Sequence, residues 1–599
     1  MGMALKPVLG LAQHVAPKYQ GPAPTVLPVP LPPVLDTPFP DLDRAIAELD
    51  AHAWVLKSTS EKANLMRACS TGLVNVSKQV SDLSERYKGS WGNKEEWLPM
   101  FCVVMGCQEY VTALESGGAP APLKLRKETA TDQWVAEVFP HGMLKALLPG
   151  YKGEVWMKPG TDPTQGAAYC APEEGEVRDE GHIALVLGAG NQYAVVLLDI
   201  FHKLICDMEV VVCKISPINH YLGPLFEEAL SPLIEANALR IVYGGREVGE
   251  YLVKHPKVHS IHLTGSADTC NAIVWGSPTV PRVGVPPIVA MGKSITAELG
   301  NVTPYIIVPG PWTDAEIKHV AAEVVGGFTH NAGHNCLALE VLITAADWPL
   351  REQFLAEVHQ QLNERAQRVP YYPGSAAKHA AFRERFKAGP GKMLELGVPP
   401  VAKSGTDSSG VLPFILVEGL EPDEVEVKTE NWCAVAQEVA LPGTGSDPAA
   451  FMTAALEYAN NKCWGSLAVA VFCDPTTQRA ADTEWKQLIS GLRYGSVCIN
   501  VGTTMGFVVT ALPWGAAPGN SLHEVESGVG SVHNTYLFDH ASKGVLEAPW
   551  RPVPKPLHHA DNNAVPHLMP SLLSFVNNAS NPLFALWPMT QVALHAVRG

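Results

Sequence analysis

Cys336 lies in "THNAGHNCLALEVLI", just after a Gly-His-Asn turn and at the head of an apolar run. A thiol in that setting reads either as a core residue or as a nucleophile, and only a thiolate attacks well. Cys213 in "MEVVVCKI" and Cys498 in "GSVCIN" sit inside apolar runs, where a thiol behaves as a small hydrophobe. Glu298, in "ITAELGN", is a lone carboxylate in an apolar stretch. Taken alone, it reads as a paired structural carboxylate. Asn191, in "VLGAGNQY", closes a strand, where a side-chain amide can donate to a developing oxyanion. Lys214 ends the strand of "VVCKISPIN", and Gly265 and Ser266 end that of "HLTGS". His334, two residues before Cys336, suggests a Cys-His hydrolase. Side chains at i and i+2 in a turn need not face each other, and no Asn or Asp partner is identifiable.

These residues need elements to hold them. From "IALVLG" (183–188) through "EVVVCKI", "LRIVYG" and "HSIHLTG", buried-strand patterns alternate with helical ones. That alternation predicts a parallel sheet covered on both faces, with ligands at the carboxyl ends of its strands. "VLGAGNQY" invites a dinucleotide fingerprint, but Tyr193 stands at the third glycine position and the fingerprint fails. A second alternation begins near Val302, with "VTPYIIVPG", "DAEIKHVAAEVVGGFTH" and "LEVLITAA". The fold class expected is α/β. The boundaries expected are a Pro-rich arm over 1–40, N-terminal helices and a Rossmann-like cofactor domain over 41–300, and a catalytic α/β domain over 301–495. A return to the cofactor domain or an oligomerisation region follows over 496–548, then a tail over 549–599 whose fold the pattern does not define.

Composition narrows the classes further. The chain has 599 residues, 46% hydrophobic and 17% charged, with a net charge of −16. That balance argues against binding nucleic acid through its phosphates. The twelve cysteines are scattered without a CxxC pair, so no zinc ribbon, disulfide framework or other metal site is expected. The longest apolar region, "IALVLGAGNQYAVVLLDIF", is broken by Asn191, Gln192 and Asp199, so no membrane span is expected. The N-terminus lacks the basic-then-apolar pattern of a secretory signal, and Lys6 weakens a myristoylation reading of Gly2. The expected location is cytoplasmic.

Taken in order, these segments resemble the aldehyde dehydrogenase superfamily over roughly residues 180–535. "IHLTGS" is similar to the family's FTGS, "AELGN" to its ELGG, "GHNC" to its GQxC and "TENWCAV" to its EEIFGPV. "ANNKCWGSLAVAVF" and "GSVCINVG" resemble two later family segments. Spacings agree as well: 23 residues from Asn191 to Lys214, 38 from Glu298 to Cys336, and 94 from Cys336 to Glu430. The resemblance implies an aldehyde substrate, a Cys336 thiohemiacetal and thioester, and Glu298 as the base that releases a carboxylic acid. It implies an oxyanion held by Asn191 and the Cys336 N–H. It implies NAD or NADP as cofactor, with Lys214, Ser216, Gly265, Ser266, Leu299, Glu430 and Trp432 at its site, and a homodimer or homotetramer. A coenzyme A-acylating enzyme is disfavoured by Glu298, and a non-enzymatic binding or structural protein is the alternative from another class.

The chain also departs from the family. Pro217 stands where NAD-preferring members often carry a carboxylate, which permits NADP without requiring it. Cys270, Asn301 and Cys433-Ala434 replace family glycines or Gly-Pro, and the Ser266–Glu298 segment is longer by roughly ten residues. Trp514 and "TTMGF" read either as substrate-tunnel lining or as ordinary packing.

Overall fold

The structure, a computed structural model, describes residues 25–91, 94–128, 131–142, 144–170, 181–277, 292–399, 410–424, 427–553, 555–559, 562–579, 587–593 and 595. The "GSPTVPRVGVPP" loop lies almost wholly outside the described residues.

The first alternation forms a six-stranded sheet. Ile183–Leu187 lies at its centre, flanked by Ser260–Thr264 and Val210–Lys214, then by Ser294–Glu298 and Leu239–Val242 at either side. All these strands run parallel, and their near-continuous Val, Ile and Leu reflect burial on both faces. One short antiparallel strand, Gly528–Val529, pairs with Ala297 and Glu298 at the edge. Helix Tyr193–Ile205 follows the central strand and is buried along nearly its whole length. The fingerprint's missing glycine is thereby accounted for: Tyr193 is fully buried and its hydroxyl donates to the Glu96 carbonyl.

The second alternation builds an eleven-stranded sheet. Thr303–Ile307 lies parallel between Leu339–Ala345 and Ala468–Phe472. Beyond Ala468–Phe472 come Ser496–Ile499 and Ala541–Glu547, both still parallel. Three antiparallel strands, Lys152–Met157, Gln133–Phe139 and Lys124–Glu128, complete that end. Segment 41–300 therefore divides between the two sheets, because its 124–157 strands satisfy the edge of the larger one. Segment 496–548 divides likewise, with Gly528–Val529 in the smaller sheet.

The N-terminal helical pattern forms Phe39–Ala47, Ala51–Leu56, Thr59–Lys88 and Lys94–Glu115. A reciprocal capping box between Ser58 and Glu61 starts the longest of these. The tail contributes helix Val565–Asn577, which packs on Thr59–Lys88 and Lys94–Glu115 through Leu568, Met569, Leu572 and Leu573. Fully burying each such side chain contributes about 1.5–3 kcal/mol. Helix Lys94–Glu115 is long and apolar enough to cross a membrane, but nearly all of it is covered by the rest of the protein. The described part of the Pro-rich arm runs extended along the body. Val29 donates to the Arg86 carbonyl and Thr37 to that of Tyr243.

Candidate active site

Glu298 is the last residue of its strand, and Cys336 follows the turn that ends helix Asp314–Thr329. That turn is strained: Asn331 and Ala332 both take left-handed backbone angles, a conformation costing of order 1–3 kcal/mol each. The Asn331 N–H donates to Glu95 and its side-chain amide to the His334 carbonyl and Asn335. Gly333, at φ +76°, packs so closely on Cys433 that a Cβ would meet the Cys433 carbonyl carbon at 2.5 Å. The turn is thus held by the 433–434 backbone and by Glu95, itself paired with Arg368 at 2.7 Å.

This scaffold brings Cys336 and Glu298 together. The Cys336 thiol donates to Glu298 Oε1 at 3.4 Å, and Trp514 Nε1 donates to the same oxygen at 2.8 Å. Glu298 Oε2 is buried with no partner among the described residues. Burial, reinforced by Asp199, pushes the Glu298 carboxyl up to about 7, against the opposing pull of Trp514, His262 and Cys336. Burial and the nearby Glu298 and Glu430 raise the Cys336 thiol well above its ordinary value. A carboxyl poised near neutrality is therefore in direct contact with the thiol.

Asn191 reaches the same turn, but its amide donates to the His334 carbonyl at 3.0 Å. Its own carbonyl accepts from Tyr371 and Asn331. His334 takes no part in a Cys-His pair. Its Nε2 meets Ser375 Oγ at 2.7 Å, and burial drops its imidazole to about 3.

Two contributors act on Glu298 in a way that the sequence did not indicate. Trp514 was read as tunnel lining or packing, whereas its indole N–H is aimed at the carboxylate. Asp199 appeared only as a break in an apolar run. It accepts from Thr264 at 3.0 Å and stands 3.3 Å from His262 Nε2, close enough to act on Glu298. A buried Trp near the end of the chain, or an Asp in an apolar helix, was the only available signal.

A small cavity of about 40 Å³ is lined by Leu98, Pro99, Cys102 and Phe507 and by Asn335 and Leu337, the chain neighbours of Cys336. Leu98 also lines a larger apolar cavity of about 150 Å³, walled by Tyr151, Met505 and tail residues such as Leu568 and Leu572.

The residues expected at a dinucleotide lie at the carboxyl ends of the smaller sheet and across the cleft. Lys214 Nζ donates to the Gly244 carbonyl at 2.9 Å, and burial lowers its amine below the usual lysine value. Ser216 Oγ lies against Gly190, where an added Cβ would meet it at 2.8 Å. The Gly265 N–H donates to the Glu298 carbonyl and the Leu299 N–H to that of Ser527, joining these strand ends. Glu430 accepts from the Asn301 N–H at 3.1 Å, and burial pushes its carboxyl up to about 7. Trp432, with a left-handed backbone, stacks edge-on to Tyr372, and its buried indole N–H has no partner among the described residues. A buried carboxylate and an orphaned indole N–H at the cleft fit the hydroxyls of a nicotinamide ribose, and Lys214 fits an adenosine ribose. The pyrophosphate end fits less closely. Ser266 Oγ caps its own helix by accepting from Thr269, and Asp268 occupies that helix's first turn.

Two α/β sheets with a thiol and a carboxylate at their junction define a class of fold that known proteins share. Residues 201–376 match the family model described as the Aldehyde dehydrogenase family. Aldehyde dehydrogenase LUC3 of a Fusarium species is 30% identical over 138 residues, 23% of this chain and 26% of that protein. D-glyceraldehyde dehydrogenase (NADP(+)) of Picrophilus torridus is 24% identical over 276 residues, 45% of this chain and 50% of the relative. The chain thus spans about a quarter of the length of the first curated relatives it matches. Among solved structures, a salicylaldehyde dehydrogenase from Pseudomonas putida G7 superposes with a TM-score of 0.58 at 14% identity, covering 86% of this chain and 91% of that one. The glyceraldehyde-3-phosphate dehydrogenase GapN of Methanocaldococcus jannaschii, complexed with NADP, gives 0.56 at 14% identity over 89% and 100%. Residues 201–376 thus carry an aldehyde dehydrogenase family segment, and the chain shares the fold of the solved aldehyde dehydrogenases.

Proposed function

We propose that this protein oxidises an aldehyde to a carboxylic acid with NAD or NADP as hydride acceptor. The observation that carries the reading is the direct contact between the Cys336 thiol and Glu298, a buried carboxyl pushed up to about 7.

Glu298 takes the thiol proton, and the Cys336 sulfur bonds to the aldehyde carbon. The Cys336 N–H and the Asn191 amide, once turned from the His334 carbonyl, hold the oxyanion, each donor being worth roughly 3 kcal/mol. A bound nicotinamide supplies the acceptor for the hydride that leaves the thiohemiacetal carbon. The thioester then left on Cys336 is hydrolysed by water that Glu298 deprotonates, releasing acid and free thiol. Lys214 and Ser216 would hold the adenosine end, Ser266 and the Gly265 turn the pyrophosphate, and Glu430 and Trp432 the nicotinamide ribose. Pro217 places no carboxylate against a 2′-phosphate. The cavity lined by Leu98, Cys102, Leu337 and Phe507 favours an aldehyde with an apolar substituent. Twelve free cysteines, most of them buried, favour a reducing compartment such as the cytoplasm.

A second reading, a non-enzymatic binding protein of this fold, is favoured by one observation: the Asn191 amide is engaged by the His334 carbonyl. The test is reduced-nicotinamide formation with NAD and NADP across an aldehyde panel, with Cys336→Ala as control. Turnover that falls by about 10⁴-fold in Cys336→Ala carries the enzymatic reading. Turnover retained in that variant overturns it, and cofactor binding without turnover by any aldehyde favours the second.

A further inference from the structure

Away from the thiol, helix Asp314–Thr329 presents His319 and Glu323 one turn apart, and the tail brings His559 against them. His319, Glu323 and His559 each offer a ligand atom, and all three atoms lie within 4.8 Å of one another. His559 Nε2 lies 2.7 Å from Glu323 Oε1. The other carboxylate oxygen, Oε2, accepts from His558 Nε2 at 2.7 Å and from the Gly502 N–H at 2.8 Å. His319 Nε2 is buried with no hydrogen-bond partner among the described residues. Its ring lies 5.2 Å from that of His559.

We infer that His319, Glu323 and His559 form a zinc-class divalent-cation site that pins the C-terminal segment to the helix leading into the Cys336 turn. Two imidazole nitrogens and one carboxylate suit zinc and its first-row neighbours. Magnesium and calcium take oxygen ligands instead. His319 and Glu323, at i and i+4, share one helix face. Ligands about 2.0–2.1 Å from a tetrahedral ion lie roughly 3.4 Å apart. Loading therefore opens the His559–Glu323 pair by under about 1 Å and draws the half-exposed His319 ring inward. The cation takes the place of the N–H hydrogen between His559 and Glu323, and the ring keeps its proton on Nδ1. His558 and Gly502 hold Oε2 and so aim Oε1, the support that a ligating carboxylate requires. The fourth position is open to water.

The site has a path to the thiol. Gly502 donates to Glu323, and Thr503 Oγ1 donates to the Leu337 carbonyl at 2.7 Å, one residue past Cys336. The metal's role is structural, since no ligand touches Cys336 or Glu298 among the contacts described. Absence of CxxC gave no hint of it, because the ligands are separated by 236 residues between Glu323 and His559.

The test is zinc titration of chelator-stripped full-length protein in competition with a chromophoric chelator, with cobalt(II) absorbance as a second readout. Cys336→Ser serves as the background, so that zinc held by the active-site thiol is not counted. One equivalent per chain is expected in that background, with tetrahedral cobalt bands and no thiolate charge-transfer band. His319→Gln and His559→Gln should each weaken zinc binding by roughly a hundredfold or more and remove the zinc-induced rise in melting temperature. His319→Gln is the decisive variant. Its Nε2 has no partner to lose, so its metal-free melting temperature should match that of the parent. Failure of the Cys336→Ser protein to bind zinc, or unchanged affinity in both histidine variants, would overturn the site.

Discussion

Glu298 and Glu323 are buried to the same depth, 3% and 1% exposed, yet their carboxyls are driven in opposite directions. Glu298 meets one indole N–H and a thiol on a single oxygen, and its other oxygen has no partner. Desolvation then dominates, and the group rises to about 7. Glu323 suffers the same desolvation but is faced by His558, His559 and the Gly502 N–H, and it is held well below the usual carboxylate range. Burial alone therefore does not decide what a carboxylate can do. An undersupplied one holds its proton up to neutral pH, and a fully supplied one stays ionised.

The comparison can be broken at either glutamate. Glu323→Gln should cost about 3–5 kcal/mol of folding stability, because it leaves buried histidines facing a neutral amide. Denaturant melts of the metal-free protein measure this, and an unchanged midpoint would mean that the anchor is dispensable. Glu298→Gln should leave thioester formation detectable but slow acyl release by about 10²–10⁴-fold. Intact mass after aldehyde and cofactor should show the acyl adduct.

The two groups also predict opposite stability effects of pH. Glu323 is depressed in the folded state, so its contribution is present above the unfolded value of 4.5 and is lost as pH falls through its folded value. Glu298 is raised, so its contribution is present below 4.5 and is lost as pH rises towards about 7. Glu298→Gln should therefore be more stable than the parent above pH 7, by about 1–3 kcal/mol, with no gain below 4.5. A melting series in which the variant and the parent do not diverge as pH rises towards 7 would remove the raised carboxyl.

The smallest effect sharpens the contrast. Trp514→Phe keeps the aromatic packing but removes the donor that lowers the Glu298 carboxyl. The rising limb of the pH–rate profile, near 7 in the parent, should move upwards, with up to about tenfold lower rate at neutral pH. A limb that stays in place would mean that Trp514 only packs.

How much could be read beforehand varies with the distance over which each feature is built. Strand and helix alternation over 183–264 and from Val302 is local, so period and length expose it. Cys336, Glu298 and Lys214 stand out because each is a polar residue at the edge of an apolar run. The destination of strands Lys124–Met157 was not legible, because a strand's own pattern does not say which sheet edge it completes. The tail's helix was hidden too: Pro570 interrupts its propensity, and it is held by packing on Thr59–Lys88 and Lys94–Glu115.

The amino-acid sequence by itself determined the α/β class, the two alternating units and the residue types that could attack an aldehyde and accept a proton. Those follow from periodicity and from which side chains carry usable chemistry. Only the tertiary structure decided which of these groups meet and what each meeting does to its proton. Trp514 on Glu298, His559 on Glu323 and His334 turned away to Ser375 are contacts between residues remote in the chain. A proton affinity is set by the groups and the desolvation around it, which no single segment contains.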